Sequence, residues 1–371
     1  MLKRQLPFVL VIGLMLIGFA SAAIGSQPAE GKVPVVRDRE QQVKAALAWL
    51  AKNQQPDGGW ISGLGENRPA IVVTASWCGL ALLASEDQRY LPHVKKAANF
   101  VARNLFKDPH PAPLPEEWDQ GNWKLAVGGL FLCEYYAHLK RDPEFRSPQI
   151  EQLLASVVKE SCQRMEPSGG WGHTARVKNV LGYLELEVMS NWMLATLGAA
   201  QRLGVQVPAD KLKQGIQYVE ACCEAKHGGV AYSTQKDLKE FGCPCRTGGA
   251  LFAFGTLGIV NQPAYRRMAD YWNKERAGSG EGHGSVALGL LGSALGAKQL
   301  GPNAWQSFQM QFFPAILQHG NDDGTFKHLV GKTPVAQGCD HQLGPAYNAG
   351  VYTLILQLDR STLHFLGRQQ K

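Results

Sequence analysis

Residues Gln41 to Trp60 read QQVKAALAWLAKNQQPDGGW. Val43, Ala46, Leu47, Leu50 and Ala51 recur at helical spacing. Pro56-Asp57-Gly58-Gly59 then ends the helix, and Trp60 follows at once. After a short gap, Ala70 to Leu83 (AIVVTASWCGLALL) is almost wholly apolar. An amphipathic helix, a glycine turn carrying an aromatic residue, and a buried helix make one hairpin unit.

The unit recurs through the chain. Ile150 to Glu166 leads through PSGGWGHT (Pro167 to Thr174) to an apolar partner over Val180 to Ala200. Leu212 to Ala225 leads through HGGVAYS (His227 to Ser233) to Gly248 to Ile259, and Trp305 to Gln318 leads through DDGTF (Asp322 to Phe326) to Tyr347 to Leu358. Weaker copies pair Val94 to Leu105 with Trp123 to His138, and Tyr265 to Arg276 with Ser285 to Ala297. The turns centre near residues 60, 115, 171, 230, 280 and 326. No segment alternates apolar and polar residues as a strand would. Two kinds of helix alternate, which predicts two layers with the apolar helices inside. The expected fold is all-α: an (α/α)6 toroid of six hairpins, twelve helices in two concentric layers.

The N-terminus reads differently. Met1 to Ala23 has Lys3 and Arg4, an apolar run over Leu6 to Ala20, and the small-residue pattern Ala20-Ser21-Ala22. This is the pattern of a signal peptide cleaved after Ala22. The expected organisation is a signal peptide over 1–22, a flexible linker over 23–37 and the toroid over 38–371. Export to the periplasm or the extracellular space follows, with no membrane span after cleavage. The 371 residues carry a net charge of +7 without a block of like charges, so no nucleic-acid footprint is expected. Eight cysteines in an exported chain invite disulfides, but their density is far below that of a disulfide scaffold.

Ala46, Trp49, Leu50, Gln54, Gly58 and Trp60 fit the QW motif, and the chain therefore resembles the squalene cyclase and protein prenyltransferase repeat family, of the exported bacterial type. Gln163, Gly169 and Trp171, and Gln318, Gly324 and Phe326, are looser copies. The resemblance implies a toroid with a cavity for an apolar ligand, isoprenoid or lipid-like, or a protein partner. An enzyme of this kind would be transferase- or cyclase-like. The Asp-x-Asp-Asp acid motif of the cyclases is absent from the sequence.

Polar residues at the starts of the inner helices are the candidates for chemistry: Thr74, Ser76, Trp118, Asp119, Asn122, Glu185, Glu187, Asn191, Cys243, Cys245, Arg246, Glu281, His283, Asp340, His341 and Tyr347. Asp119, Glu187, Asp340 and His341 are the candidate catalytic groups. Glu187 and Asn191, four apart on a helix, share a face. By order along the prenyltransferase pattern, Cys243, Cys245 and His283 would hold Zn2+, a soft ligand set with a place left open. Cys243-Pro244-Cys245 also suits a helix start, and an i,i+2 disulfide there would be strained. A third reading is a polysaccharide-active toroid, hinted at by Trp118, Asp119 and Trp123.

Overall fold

The structure is a computed structural model and describes residues 38–65, 68–107, 121–178, 182–235, 242–281, 284–329 and 338–367. The expected signal peptide and linker lie outside the described residues. Six hairpins follow in chain order: α1 (Arg39–Asn53) with α2 (Arg68–Ala84), α3 (Leu91–Asn104) with α4 (Gly121–Leu139), α5 (Pro148–Gln163) with α6 (Glu187–Arg202), α7 (Ala209–Cys222) with α8 (Pro244–Leu257), α9 (Pro263–Glu275) with α10 (Val286–Leu300), and α11 (Pro302–Gln318) with α13 (Pro345–Gln357). A short helix, α12 (Gly338–Leu343), precedes α13.

The second helix of each pair forms the inner layer. Helix α2 packs on α4, α4 on α6, α6 on α8, α8 on α10, α10 on α13, and α13 returns to α2, so the inner ring is closed. The sequence dictates which helix goes where. In α5 only Leu154, Val157, Val158 and Ser161 are buried, a single stripe, whereas in α13 every residue from Ala346 to Gln357 is buried. Small residues on the inner helices let backbones approach closely. Gly248 of α8 lies against Ser293 of α10, and Gly350 of α13 against Cys78 of α2, where a Cβ would clash.

Four turns share one lock. Gly58, Gly169, Gly228 and Gly324 adopt φ of +99°, +93°, +79° and +93°, which favours glycine. A Cβ at these positions would lie 2.2, 2.4, 2.2 and 2.3 Å from the carbonyl oxygens of Lys96, Gln214, Arg267 and Ala45. Each turn thus sits on the next outer helix, and the last one, at Gly324, sits on α1 and closes the ring. The indoles of Trp60 and Trp171 donate to the carbonyls of Leu50 and Ser161, at 2.9 and 2.8 Å. Gln54 donates to the carbonyls of Gly58 and His93. The motif residues act as staples between neighbouring hairpins.

The far end of the ring is plugged by the chain's own C-terminal turn, His364–Leu366. Phe365 is fully buried against Phe252, with ring centroids 5.2 Å apart. Glu134 on α4 accepts the backbone N–H groups of His364 and Phe365, at 2.5 and 2.9 Å. Arg39 at the start of α1 donates to the carbonyl of Leu356 and pairs with Asp359, tying the two termini of the toroid.

Three features depart from the sequence reading. Helix α6 begins at Glu187, so Glu185 precedes it. Helix α12 is an extra element. Among the described residues there is no strand, yet isolated bridges such as Trp171–Leu186 and Cys223–Val230 join the turns to neighbouring chain. Among them, too, no helix is long and apolar enough to cross a membrane.

Candidate functional site

The N-terminal ends of all six inner helices meet at the open mouth of the ring, around a cavity of about 340 Å³. Its wall takes Trp77 from α2, Trp123 from α4, Asn191 and Trp192 from α6, Cys245 and Arg246 from α8, Leu288 from α10 and Tyr347 from α13, with Cys339 and Gln342 from α12. Trp77 and Trp192 meet edge to face at 5.3 Å, Trp192 touches Phe252 at 5.8 Å, and Phe252 touches Phe365. This aromatic column fills the axis between cavity and plug, so the cavity is a dead-end pocket.

One polar cluster lies on the α6–α8 side. Cys243 caps α8, and Pro244 occupies its first turn. The Cys243 and Cys245 sulfurs are 2.7 Å apart. The hydrogen bond from Cys245 lowers the Cys243 thiol to about 6, against burial and with help from the Arg246 charge. Arg246 lies over the Tyr232 ring at 5.5 Å. Burial pulls its pKa down, but the neighbouring Cys243, Cys245 and Glu187 outweigh that and raise it. Glu187 is fully buried and accepts from Asn191, as the four-residue spacing implied; its Oε2 has no partner. Burial holds its pKa well above the usual carboxylate range, although Arg246 and Asn191 oppose the shift.

The other candidates divide. Asp340 is fully buried, binds the Ser285 hydroxyl and accepts the Ala287 N–H at 2.9 Å. It caps α10 and anchors α12, with its pKa raised by burial. The Tyr347 hydroxyl completes that set, 3.2 Å from Ser285. His341 is exposed on α12 beside His328, ring centroids 5.6 Å apart. Asn122 bonds the Gly172 carbonyl at 2.9 Å, and Ser76 bonds its own helix at Val72. Thr74 is buried inside α2. Trp118, Asp119 and His283, and the side chain of Glu281, lie outside the described residues. The expected zinc set is therefore seen only as its two cysteines. Among the described residues no three His, Cys, Asp or Glu side chains come together as a metal site.

His173 and Tyr232 line the cavity and were missed by the sequence reading. The Trp123 indole donates to His173 Nδ1 at 2.7 Å, so the neutral ring carries its proton on Nε2. A signal for both existed. His173 follows Trp171 by two residues and Tyr232 follows Val230 by two. After each turn the chain is extended, so alternate residues share a face: the first covers the turn and the second reaches the mouth.

Residues 41–367 match a family described as Domain of unknown function (DUF6288). No curated protein matches the chain. Solved structures do. An inactive variant of the α-1,6-mannanase GH76A of Salegentibacter sp. HEL1_6, in complex with α-1,6-mannotriose, is 12% identical, with a TM-score of 0.62 over 86% of this chain and 98% of that one. Cellobiose 2-epimerase from Bacillus thermoamylovorans B4167 is 11% identical, with a TM-score of 0.59 over 86% and 98%. Unsaturated glucuronyl hydrolase from Bacillus sp. GL1, responsible for the degradation of glycosaminoglycan, is 12% identical, with a TM-score of 0.56 over 90% and 100%. These matches establish an α/α toroid. They overturn the squalene cyclase and prenyltransferase resemblance, and with it the cyclase-like reading of the cavity. The physical reason is on the page: the Gln, Gly and Trp of the motif staple one hairpin to the next, a packing task any toroid of hairpins must solve.

Proposed function

The chain belongs to the DUF6288 family, and we propose that it is a carbohydrate-active toroid that takes the end of a saccharide into its mouth cavity. The observation that carries this reading is the cavity wall itself. Trp123 and Tyr232 offer aromatic surface to the C–H faces of a sugar ring above a floor formed by the buried Trp77 and Trp192, while His173, Asn191, Arg246 and Gln342 offer hydrogen-bonding groups. A largely apolar pocket with a few placed polar groups is the usual form of a small-ligand site. At about 340 Å³ it is near the lower end of the usual range, ~300–1,000 Å³, which suits a short saccharide end rather than a long chain. The mannanase, epimerase and glucuronyl hydrolase of the same fold act on carbohydrates, which supports the reading by analogy. A polysaccharide ligand also suits an exported chain, for which the Met1 to Ala23 leader argues.

The described wall contains no Asp or Glu, so it does not present the carboxylate pair of ordinary glycoside hydrolysis. Asp340 adjoins it through Ser285, and Glu187 through Asn191 and Arg246, with a pKa that burial raises well above the usual carboxylate range. We assign Glu187 the role of holding the Asn191–Arg246 wall in place.

The test is a glycan array probed with the mature chain, followed by calorimetry on the hits with Trp123→Ala. Trp123 is only half-buried, so the variant keeps its fold, checked by circular dichroism. Saccharide binding that weakens at least ~10-fold in the variant is expected, since a Trp side chain buried against a sugar face removes apolar area from water at roughly 25 cal/mol per Å². An array without hits, together with tight binding of a fatty acid or a polyprenol, contradicts the proposal.

A further inference from the structure

We propose that Cys243 and Cys245 form a redox-active dithiol in the wall of the mouth cavity, one that exchanges with the disulfides of small thiols. The geometry carries it. The two sulfurs lie 2.7 Å apart, and Cys245 belongs to the cavity wall. Both stand at the N-terminus of α8, a helix of 14 residues, where the helix dipole favours an anion. The Arg246 guanidinium is next to them, itself on the wall. A thiolate beside a cation at a helix N-terminus is the environment of reactive cysteines.

The other cysteines lack this setting. Cys78 and Cys133 are fully buried in α2 and α4, and burial pushes Cys133 above the range of ordinary thiols. Cys339 opens to solvent through the cavity, yet the protein packed around it and the Asp340 carboxyl push its thiol up to about 11. Reactivity is therefore expected to run against exposure: the dithiol first, Cys339 later.

The exchange balances in two steps. The dithiol holds one proton between two sulfurs, and Cys245, on the wall, passes its proton to Cys243 as it attacks a sulfur of the small disulfide. The new S–S bond joins Cys245 to that sulfur, and the other small thiolate leaves. Cys243 then gives up its proton to the first leaving thiolate and attacks Cys245. The mixed disulfide breaks and the second small thiolate leaves, protonated by water. Two protein thiols are oxidised and one small disulfide becomes two thiols. The i,i+2 ring is strained, so the product is readily reduced again. Oxidation also removes the negative charge that faces Arg246, which alters the wall of the saccharide cavity.

The proposal is tested on the reduced, folded chain incubated with glutathione disulfide, then alkylated with iodoacetamide and mapped by peptide mass. The expected product is a Cys243–Cys245 disulfide, formed on the order of tenfold faster than in the guanidinium-unfolded chain, with Cys78 and Cys133 still alkylated on unfolding. Cys243→Ser is expected to trap a stable glutathione adduct on Cys245. Alkylation of both cysteines after incubation, a disulfide elsewhere with this pair still reduced, or equal rates folded and unfolded overturns it. None of these readouts depends on a saccharide, so the proposal stands or falls apart from the proposed function.

Discussion

Gly169 and Gly204 separate two effects that glycine combines. Both have positive φ, +93° and +90°. At Gly169 a Cβ would also meet the Gln214 carbonyl at 2.4 Å, whereas at Gly204 it would meet nothing within 4 Å. Gly204→Ala is therefore expected to lose about 1–2 kcal/mol of stability, the cost of a left-handed alanine. Gly169→Ala is expected to lose about 2–4 kcal/mol, because turn and outer helix must also move apart. Denaturant unfolding of the two variants measures both, and equal losses would contradict the lock between turn and neighbouring helix. The candidate site shows the same dependence on surroundings. The Glu187–Asn191 pairing was readable from four-residue spacing, whereas Asp340 looked equally apt and instead caps α10. Nothing in Gly338-Cys339-Asp340-His341 announces which backbone N–H Asp340 will meet 53 residues away.

At the scale of elements, the alternation of striped and apolar helices was legible because burial of an inner helix on all sides leaves no room for a polar face. Helix α12 and the late start of α6 were not, since both depend on neighbours brought by ring closure. The six inner N-termini converge on the cavity, and their dipoles add to Arg246, against the single charge of the Cys243–Cys245 dithiol, to favour an anion at the mouth. Burial raises the pKa of both Glu187 and Asp340 behind the wall. A saccharide bearing a uronate is thus expected to bind more tightly than its neutral counterpart, with an advantage that shrinks as salt rises. Calorimetry at two ionic strengths checks this, and equal affinities would contradict a positive mouth. The cap has its own expectation. Asp340→Ala leaves the Ala287 N–H without its acceptor and the Ser285 hydroxyl with only the Tyr347 hydroxyl, and should cost about 1–3 kcal/mol, read as a lower denaturation midpoint.

The whole toroid is held at its closure and at its plug. Closure was expected from the six hairpins and the apolar last helix, whereas the plug was not, because its partners on α4 and α8 lie more than 100 residues away in the chain. Glu134 joins the C-terminal turn to the ring by receiving the His364 and Phe365 N–H groups. Burial raises its pKa from 4.5 to about 8, against those two hydrogen bonds and the charges of Arg202 and Arg141. The unfolded chain releases this proton near 4.5, and the folded chain keeps it until about 8. Its contribution to stability is therefore full below about pH 4.5 and is lost as pH rises to about 8. Thermal melts across that window should fall more steeply for the wild type than for Glu134→Gln, whatever the variant's absolute Tm. Parallel curves would remove Glu134 from the account.

The mouth cavity as a saccharide site is examined most directly by a crystal structure of the chain with the tightest saccharide from the array. The expected result is density for a sugar ring inside the cavity, stacked on Trp123 and within hydrogen-bonding reach of Asn191 and Arg246. A saccharide seated on the outer helices with the cavity bare, or an acyl chain filling the space between Trp77 and Tyr347, would contradict it.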